Sequence, residues 1–274
     1  MGYVDFILNL AGLLLWLNWR SIRFDPLEKR TPATLMGTLR PATPRKVRRW
    51  HLLVIIAGLL LLRAVIYRWV TPLWVGSLDL GVTVVQFRSN SFPRILLFSF
   101  LSFIVALAVF YVALLFLSLL RGPDPIHQLI KISLGRMDQW PRPVKILLPL
   151  AGGTMLWLSC CWLLSWLQVC PPTISVAQRV EQGLAIGLAA YLVWKFPIGL
   201  VLLLYLLSSY VFFGRHPLWN YIQVVAQKIL SPLGKIPLRI GKVDFAPVAG
   251  LALVFFAAEL AGRGLVWIYV RLPF

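Results

Sequence analysis

Four charged side chains stand inside otherwise apolar stretches: Asp5, Arg63, Glu259 and Arg263. Charges in such surroundings are either neutralised by a neighbour or mark the path of an ion, a proton or a solute. Glu259 and Arg263 are four residues apart, which puts them on one side of a helix and lets them neutralise each other. At about 1.5 Å per residue, Glu259 lies ~21 Å along its stretch from Phe245, Arg63 ~18 Å from His51 and Asp5 ~21 Å from Trp19. The matching depths make the four a candidate intramembrane charge cluster in one half of a bilayer. The plainer alternative is separate pairs, Glu259 with Arg263, while Arg63 and Arg68 snorkel towards the surface.

No other constellation carries chemistry. The chain has no phosphate-cradling glycine loop, no dinucleotide fingerprint, no G-x-S-x-G elbow and no H-E-x-x-H helix. Cys160, Cys161 and Cys170 fall in one apolar stretch without C-x-x-C or Cys/His metal spacing. His51, His127 and His216 are not at ligand spacing, and Asp124 and Asp138 are too few for phosphoryl chemistry. Neither a catalytic residue, a metal nor a cofactor is expected.

The elements that hold these charges follow from composition. Of the 274 residues 59% are hydrophobic and only 13% are charged, with a mean hydropathy of +0.82. Soluble domains carry roughly 25% charge, so this chain would have no polar surface to spend on water. About 20 apolar residues cross a bilayer as a helix. Ile95–Leu120 and Ile146–Val169 hold no charge, and Phe196–Phe213 extends back through Leu184–Trp194 across Lys195. Tyr3–Trp19, His51–Val70 and Phe245–Val270 are long enough but carry the isolated charges. The expected fold is all-α: a polytopic bundle of about six transmembrane helices. The N-terminal stretch lacks the positive flank of a cleaved signal and is expected to be retained.

The net charge of +18 is distributed by loop. Residues 20–50 hold nine Lys and Arg, residues 121–145 five and residues 214–243 five, against four on the other side (Arg88, Arg94, Arg179 and Arg271), with Arg63, Arg68, Lys195 and Arg263 inside the spans. Cytoplasmic loops collect Lys and Arg, so six spans put the three basic loops inside and both termini outside. Those loops would also attract anionic lipid headgroups, which accounts for the charge without nucleic acid.

Two of the basic loops resemble each other. After Pro125, apolar residues fall at Ile126, Leu129, Ile130, Leu134 and Met137; after Pro217 they fall at Leu218, Tyr221, Ile222, Val225 and Ile229. Both are helical stripes, and proline suits a first helical turn. Two short amphipathic interfacial helices are expected, each followed by a Pro-rich basic turn and a return to the membrane through Pro149 or Pro247. The chain then divides into an N-terminal hairpin, residues 1–90, and two repeats, residues 91–172 and 173–274. Gly183 and Gly187 form a G-x-x-x-G helix-packing pattern, and Gly152-Gly153 suits close packing or a kink.

The second repeat resembles the YggT (YlmG-like) membrane protein family. The resemblance rests on His216-Pro217-Leu218-Trp219, on Leu230-Ser231-Pro232-Leu233-Gly234-Lys235-Ile236-Pro237, and on Gly241-Lys242-Val243-Asp244-Phe245-Ala246-Pro247. It covers residues 196–268; residues 95–169 match loosely and lack the Gly-x-x-Asp-x-x-Pro element. It marks Pro217, Pro232, Lys235, Pro237, Gly241, Asp244 and Pro247 as family-motif positions. It implies a bacterial inner-membrane protein without established biochemical activity, with relatives linked to ion tolerance, nucleoid and division-site organisation, and cytochrome assembly. The expected function is a membrane scaffold or assembly factor working through its cytoplasmic amphipathic loops, with other membrane proteins or further copies of the chain as partners. The alternative is an ion or small-solute transporter or channel component using the charge cluster.

Overall fold

The computed structural model describes residues 2–21, 46–70, 75–88, 91–120, 130, 133–169, 175–210, 217–233, 239–240 and 243–271. The chain is an all-α protein in which six helices are long and apolar enough to cross a membrane. They are α1 (Gly2–Ser21), α2 (Lys46–Val70), α3 (Phe92–Leu119), α4 (Arg142–Trp166), the composite of α5 (Val176–Ala189) and α6 (Lys195–Tyr210), and α8 (Ala246–Arg271). A shorter helix, α7 (Pro217–Leu230), precedes α8. The six expected spans are present.

The helices belong to two compact units. The first comprises Met1–Leu78 and Gln86–Leu107, the second Asp79–Val85 and Ala108–Phe274. In the first, α1 packs along α2, and Gly12 lies under the Phe103 ring of α3, where a Cβ would come within 2.6 Å of Cε2. Ser99 donates to the Leu60 carbonyl at 2.9 Å. Phe87 stands edge-on to Phe98, with ring centroids 5.5 Å apart.

Between α2 and α3 the chain makes a two-stranded hairpin, β1 (Val75–Asp79) and β2 (Val84–Arg88), which the all-α expectation did not include. Alternate residues point inward, Leu78 from β1 and Val85 and Phe87 from β2, the period-2 signature of a strand. The turn is closed by Leu80 N–H to the Thr83 carbonyl at 3.0 Å and by Gly81 N–H to Asp79 Oδ1 at 2.7 Å. Gly81 sits at φ +84°, where a side chain is disfavoured.

In the second unit, α4 lies along α5 with almost no side-chain spacer. A Cβ on Gly187 would meet the Leu150 carbonyl oxygen at 2.5 Å, and one on Gly153 would meet Gly187 Cα at 2.8 Å. Thr154 donates to the Leu150 and Gly183 carbonyls at 2.8 and 3.1 Å. The G-x-x-x-G pattern is thus a helix-packing face. Gly152, in contrast, faces open space.

The fifth span starts earlier than its hydropathy suggests. Ser175 caps α5, accepting Gln178 N–H at 3.1 Å, so the helix opens eight residues before Leu184. It then tightens to a 3-10 stretch at Ala190–Trp194 before α6 resumes at Lys195. Pro197 supplies the reason: it has no N–H for the Val193 carbonyl and its ring crowds that carbonyl.

The return of the fourth span also differs from expectation. α4 begins at Arg142, with Pro143 in its first turn, and Pro149 lies inside the helix. The missing N–H of Pro149 faces the Lys145 carbonyl there. Pro247, by contrast, is the second residue of α8, as expected. A second two-residue hairpin, β3 (Arg239–Ile240) with β4 (Val243–Asp244), precedes α8.

The short helix α7 presses its apolar face into the second unit. Tyr221, Ile222, Val225, Ala226 and Leu230 are buried with Val201 and Leu202 of α6. Most of the matching stretch after Pro125 lies outside the described residues, but Ile130 and Leu134 are buried against Leu115 of α3.

Candidate functional site

Two charges of the sequence cluster meet in the first unit. Asp5 and Asn9 are one turn apart on α1, and Arg63 and Tyr67 one turn apart on α2, so each helix presents a polar pair on one face. Ser102 completes the group from α3. The Arg63 guanidinium is fully buried. Its Nη2 donates to Asp5 Oδ1 and to Ser102 Oγ at 3.0 Å, and its Nη1 donates to Asn9 Oδ1 at 2.9 Å. Tyr67 donates its hydroxyl to the same Asp5 oxygen, and Asn9 Nδ2 donates to Ser102 Oγ at 3.0 Å.

The guanidinium carbon also stands 5.2 Å from the Phe98 ring centroid and 5.8 Å from that of Tyr67, within range of cation–π attraction. Of the three guanidinium nitrogens, Nε is the one without a hydrogen-bond acceptor among the described residues. One positive and one negative charge cancel, and Asn9 and Ser102 take two of the remaining guanidinium donors. Such an arrangement ties three helices in register. Sequence reasoning found Asp5 and Arg63 but missed Asn9, Tyr67 and Ser102. The signal was the i, i+4 repetition on both helices. Arg63 does not snorkel; it turns inward.

Glu259 and Arg263 lie in the second unit on α8 and pair with each other, Arg263 Nε to Glu259 Oε1 at 3.0 Å. Their side chains are 61% and 76% exposed respectively. The structure therefore brings Asp5 to Arg63 and Glu259 to Arg263.

A third ion pair was not expected at all. Lys145, counted by sequence among the loop cations, is 2% exposed at the start of α4. Its ammonium donates to Ser118 Oγ at 3.2 Å, to the Asp138 carbonyl at 2.6 Å and to Asp138 Oδ1 at 3.1 Å. All three donors are used, joining the end of α3, the 3-10 turn Gly135–Gln139 and α4. Lys145→Met should lower stability by about 1–3 kcal/mol, the penalty of a buried group left without its partner. Asp138 retains some access to solvent, with 11% of its side chain exposed. Detergent-solubilised melting curves measure the loss, and an unchanged midpoint would show that the lysine is not holding the turn.

Of the residues that carry the sequence resemblance, Pro232 lies in the turn after α7, and Pro247 is buried in the first turn of α8. Pro217 opens α7 and Asp244 lies in β4, their side chains outside the described set. Lys235, Pro237 and Gly241 lie outside the described residues, as do Cys170, His127 and His216. Cys160 and Cys161 are free thiols, Cys161 buried. Among the described residues no three His, Cys, Asp or Glu side chains gather as a metal site. Compared with known proteins, the chain matches no family model, no curated sequence and no solved structure.

Proposed function

We propose that this integral membrane protein is a non-catalytic scaffold or assembly factor of YggT-like type that presents α7 as its working surface. The observation that carries this reading is the seating of α7. Its apolar stripe is spent on the second unit, and Asn220, Gln223 and Gln227 lie on the exposed side, at i, i+3 and i+7. A helix held this way offers a fixed row of amides to a partner rather than a hydrophobic anchor to lipid. The buried positions Ile130 and Leu134 stand in the same places after Pro125 as Ile222 and Ala226 do after Pro217. That equivalence favours the internal repeat. The motif around Pro217, Pro232 and Pro247 favours the YggT-like family and a bacterial inner-membrane setting. The loop-charge asymmetry favours termini outside and basic loops bound to anionic lipid.

Photo-crosslinking residues at positions 220, 223 and 227 in native membranes test the reading. The expected result is one reproducible protein partner captured from this face; capture of lipid alone at all three positions would end it. A second reading, a transporter or channel component, is favoured by the exposed Glu259–Arg263 pair and by the interrupted fifth span, since broken helices line many transport paths. Purified protein in liposomes would then move an ion or solute down an imposed gradient. Tight vesicles under ion, proton and solute gradients would eliminate that reading.

A further inference from the structure

The last span carries Glu259 and Arg263 where nothing among the described residues covers them. The 26 residues of α8 turn one stripe inward, Leu251, Val254, Ala258, Gly262, Leu265 and Tyr269, each half-buried. Glu259 and Arg263 lie on another side and are mostly exposed. Glu259 falls ~20 Å and Arg263 ~26 Å along the helix at about 1.5 Å per residue, so Glu259 is near mid-bilayer.

Arg263 does not escape towards the near end of the helix. Helical side chains lean towards the helix N-terminus, here back towards mid-span, and Nε is held there by Glu259 at 3.0 Å. That bond uses one of five guanidinium N–H groups. The terminal nitrogens bond nothing among the described residues, and hydrocarbon offers them no acceptor.

Along the same side run Val248, Ala252, Val266 and Val270, all exposed. With Glu259 they are spaced 4, 7, 7 and 4, the repeat of a helix that packs lengthwise on a neighbour. These four side chains are small or short, which suits close approach in lipid, and the exposed Phe255 and Phe256 flank them between Ala252 and Glu259.

We propose that this seam docks on the same seam of a second copy of the chain. Two copies inserted in one direction pack with α8 parallel about a two-fold axis normal to the bilayer, an isologous interface. Arg263 of one copy already reaches down to the level of Glu259. Across the axis it meets Glu259 of the other, and four charges of alternating sign close a ring. The choice of occupant rests on this self-complementarity: another protein would have to supply its own cation and anion one turn apart at the same depth. The inference rests on α8 spanning the membrane and not on the scaffold role, which is tested at α7.

Two experiments decide it, both on the full chain in membranes. In the first, Val270→Cys and Ile268→Cys are compared in a background with Cys160, Cys161 and Cys170 changed to Ala, under mild oxidation. Position 270 is on the seam and position 268 on the opposite side of the helix. The expected result is a dimer band several-fold stronger for Val270→Cys; equal bands, none, or the reverse order would overturn the seam. It leaves the charges intact and does not depend on a charge variant folding. In the second, differently tagged copies carrying Glu259→Arg and Arg263→Glu are expressed singly and together. Each alone places like charges across the axis and should self-associate several-fold less than wild type. The mixture places two arginines opposite two glutamates and should recover the mixed pair. Wild-type self-association in either single variant, or a mixture no better than its parts, would overturn the ring.

Discussion

Asp5→Ala should destabilise the first unit by about 3–5 kcal/mol, the loss seen when one partner of a buried ion pair is removed. Arg63 is fully buried and cannot release its proton. Without Asp5 it keeps Asn9 and Ser102, which accept hydrogen bonds but carry no charge. Arg63→Met leaves the milder defect, because Asp5 retains some exposure, 22% of its side chain, and still accepts from Tyr67. The double variant Asp5→Ala/Arg63→Met should recover much of the loss, since an apolar replacement of the whole pair leaves no stranded charge. The coupling across this cycle should therefore reach 1–3 kcal/mol in the order-of-magnitude sense usual for touching residues, about that of a direct ionic contact. Tyr67→Phe removes the hydroxyl bond to Asp5 and should lose about 0.6 kcal/mol, the average for a membrane hydrogen bond. Unfolding in mixed micelles measures all four variants. Simple additivity of Asp5→Ala and Arg63→Met would show that the two charges are stabilised independently and that the network does not act as one unit.

The polar network also shows what a sequence discloses in a membrane protein. Asp5 and Arg63 were legible because a charge in an apolar stretch is conspicuous by type alone. Asn9, Tyr67 and Ser102 were not, because neutral polar residues are common in spans and only the partner helix gives them a role. The six spans were legible for a stronger reason: the requirement that backbone groups be satisfied inside lipid leaves the helix as the way to cross. Their ends were less so. Hydropathy does not register Ser175, whose hydroxyl starts α5 eight residues before the apolar stretch becomes obvious. Proline misled in one direction and informed in the other. Pro149 was read as the point of return to the membrane and lies inside a helix that already starts at Arg142, while Pro197 was passed over and sits beside the 3-10 break.

Lys145 and the hairpin mark two further limits. A lysine next to Pro141-Arg142-Pro143 counts towards loop charge on any sequence tally, and its burial depends on Ser118, 27 residues away, and on a backbone carbonyl. No local pattern encodes that. The hairpin was readable in principle: Val84–Arg88 alternates, and Asp79 two residues before Gly81 can cap the turn. It was masked because a short strand carries a weak signal beside spans of twenty apolar residues.

Gly187→Leu should cripple the packing of α4 on α5, and the series around it turns that expectation into a measurement. At Gly187 even an alanine Cβ would sit 2.5 Å from the Leu150 carbonyl oxygen and 2.7 Å from Thr154 Oγ1. The first of these is backbone and cannot rotate away, so the two helices must separate. Gly187→Ala should lose about 1–3 kcal/mol, the usual penalty of overpacking, and leucine should lose more. Gly153→Ala should behave alike, since its Cβ would press on the Gly187 backbone at 2.8 Å. Gly183→Ala should be milder, because its nearest neighbour is the Thr154 methyl at 3.2 Å. Gly152→Ala meets nothing within 4 Å and should gain a few tenths to about 1 kcal/mol from helix propensity alone. The order expected in unfolding experiments is therefore 152 above wild type, then 183, then 153 and 187. If Gly152→Ala and Gly187→Ala were equally harmful, helix–helix proximity would not be what these glycines supply, and a requirement for backbone flexibility in both spans would explain them instead.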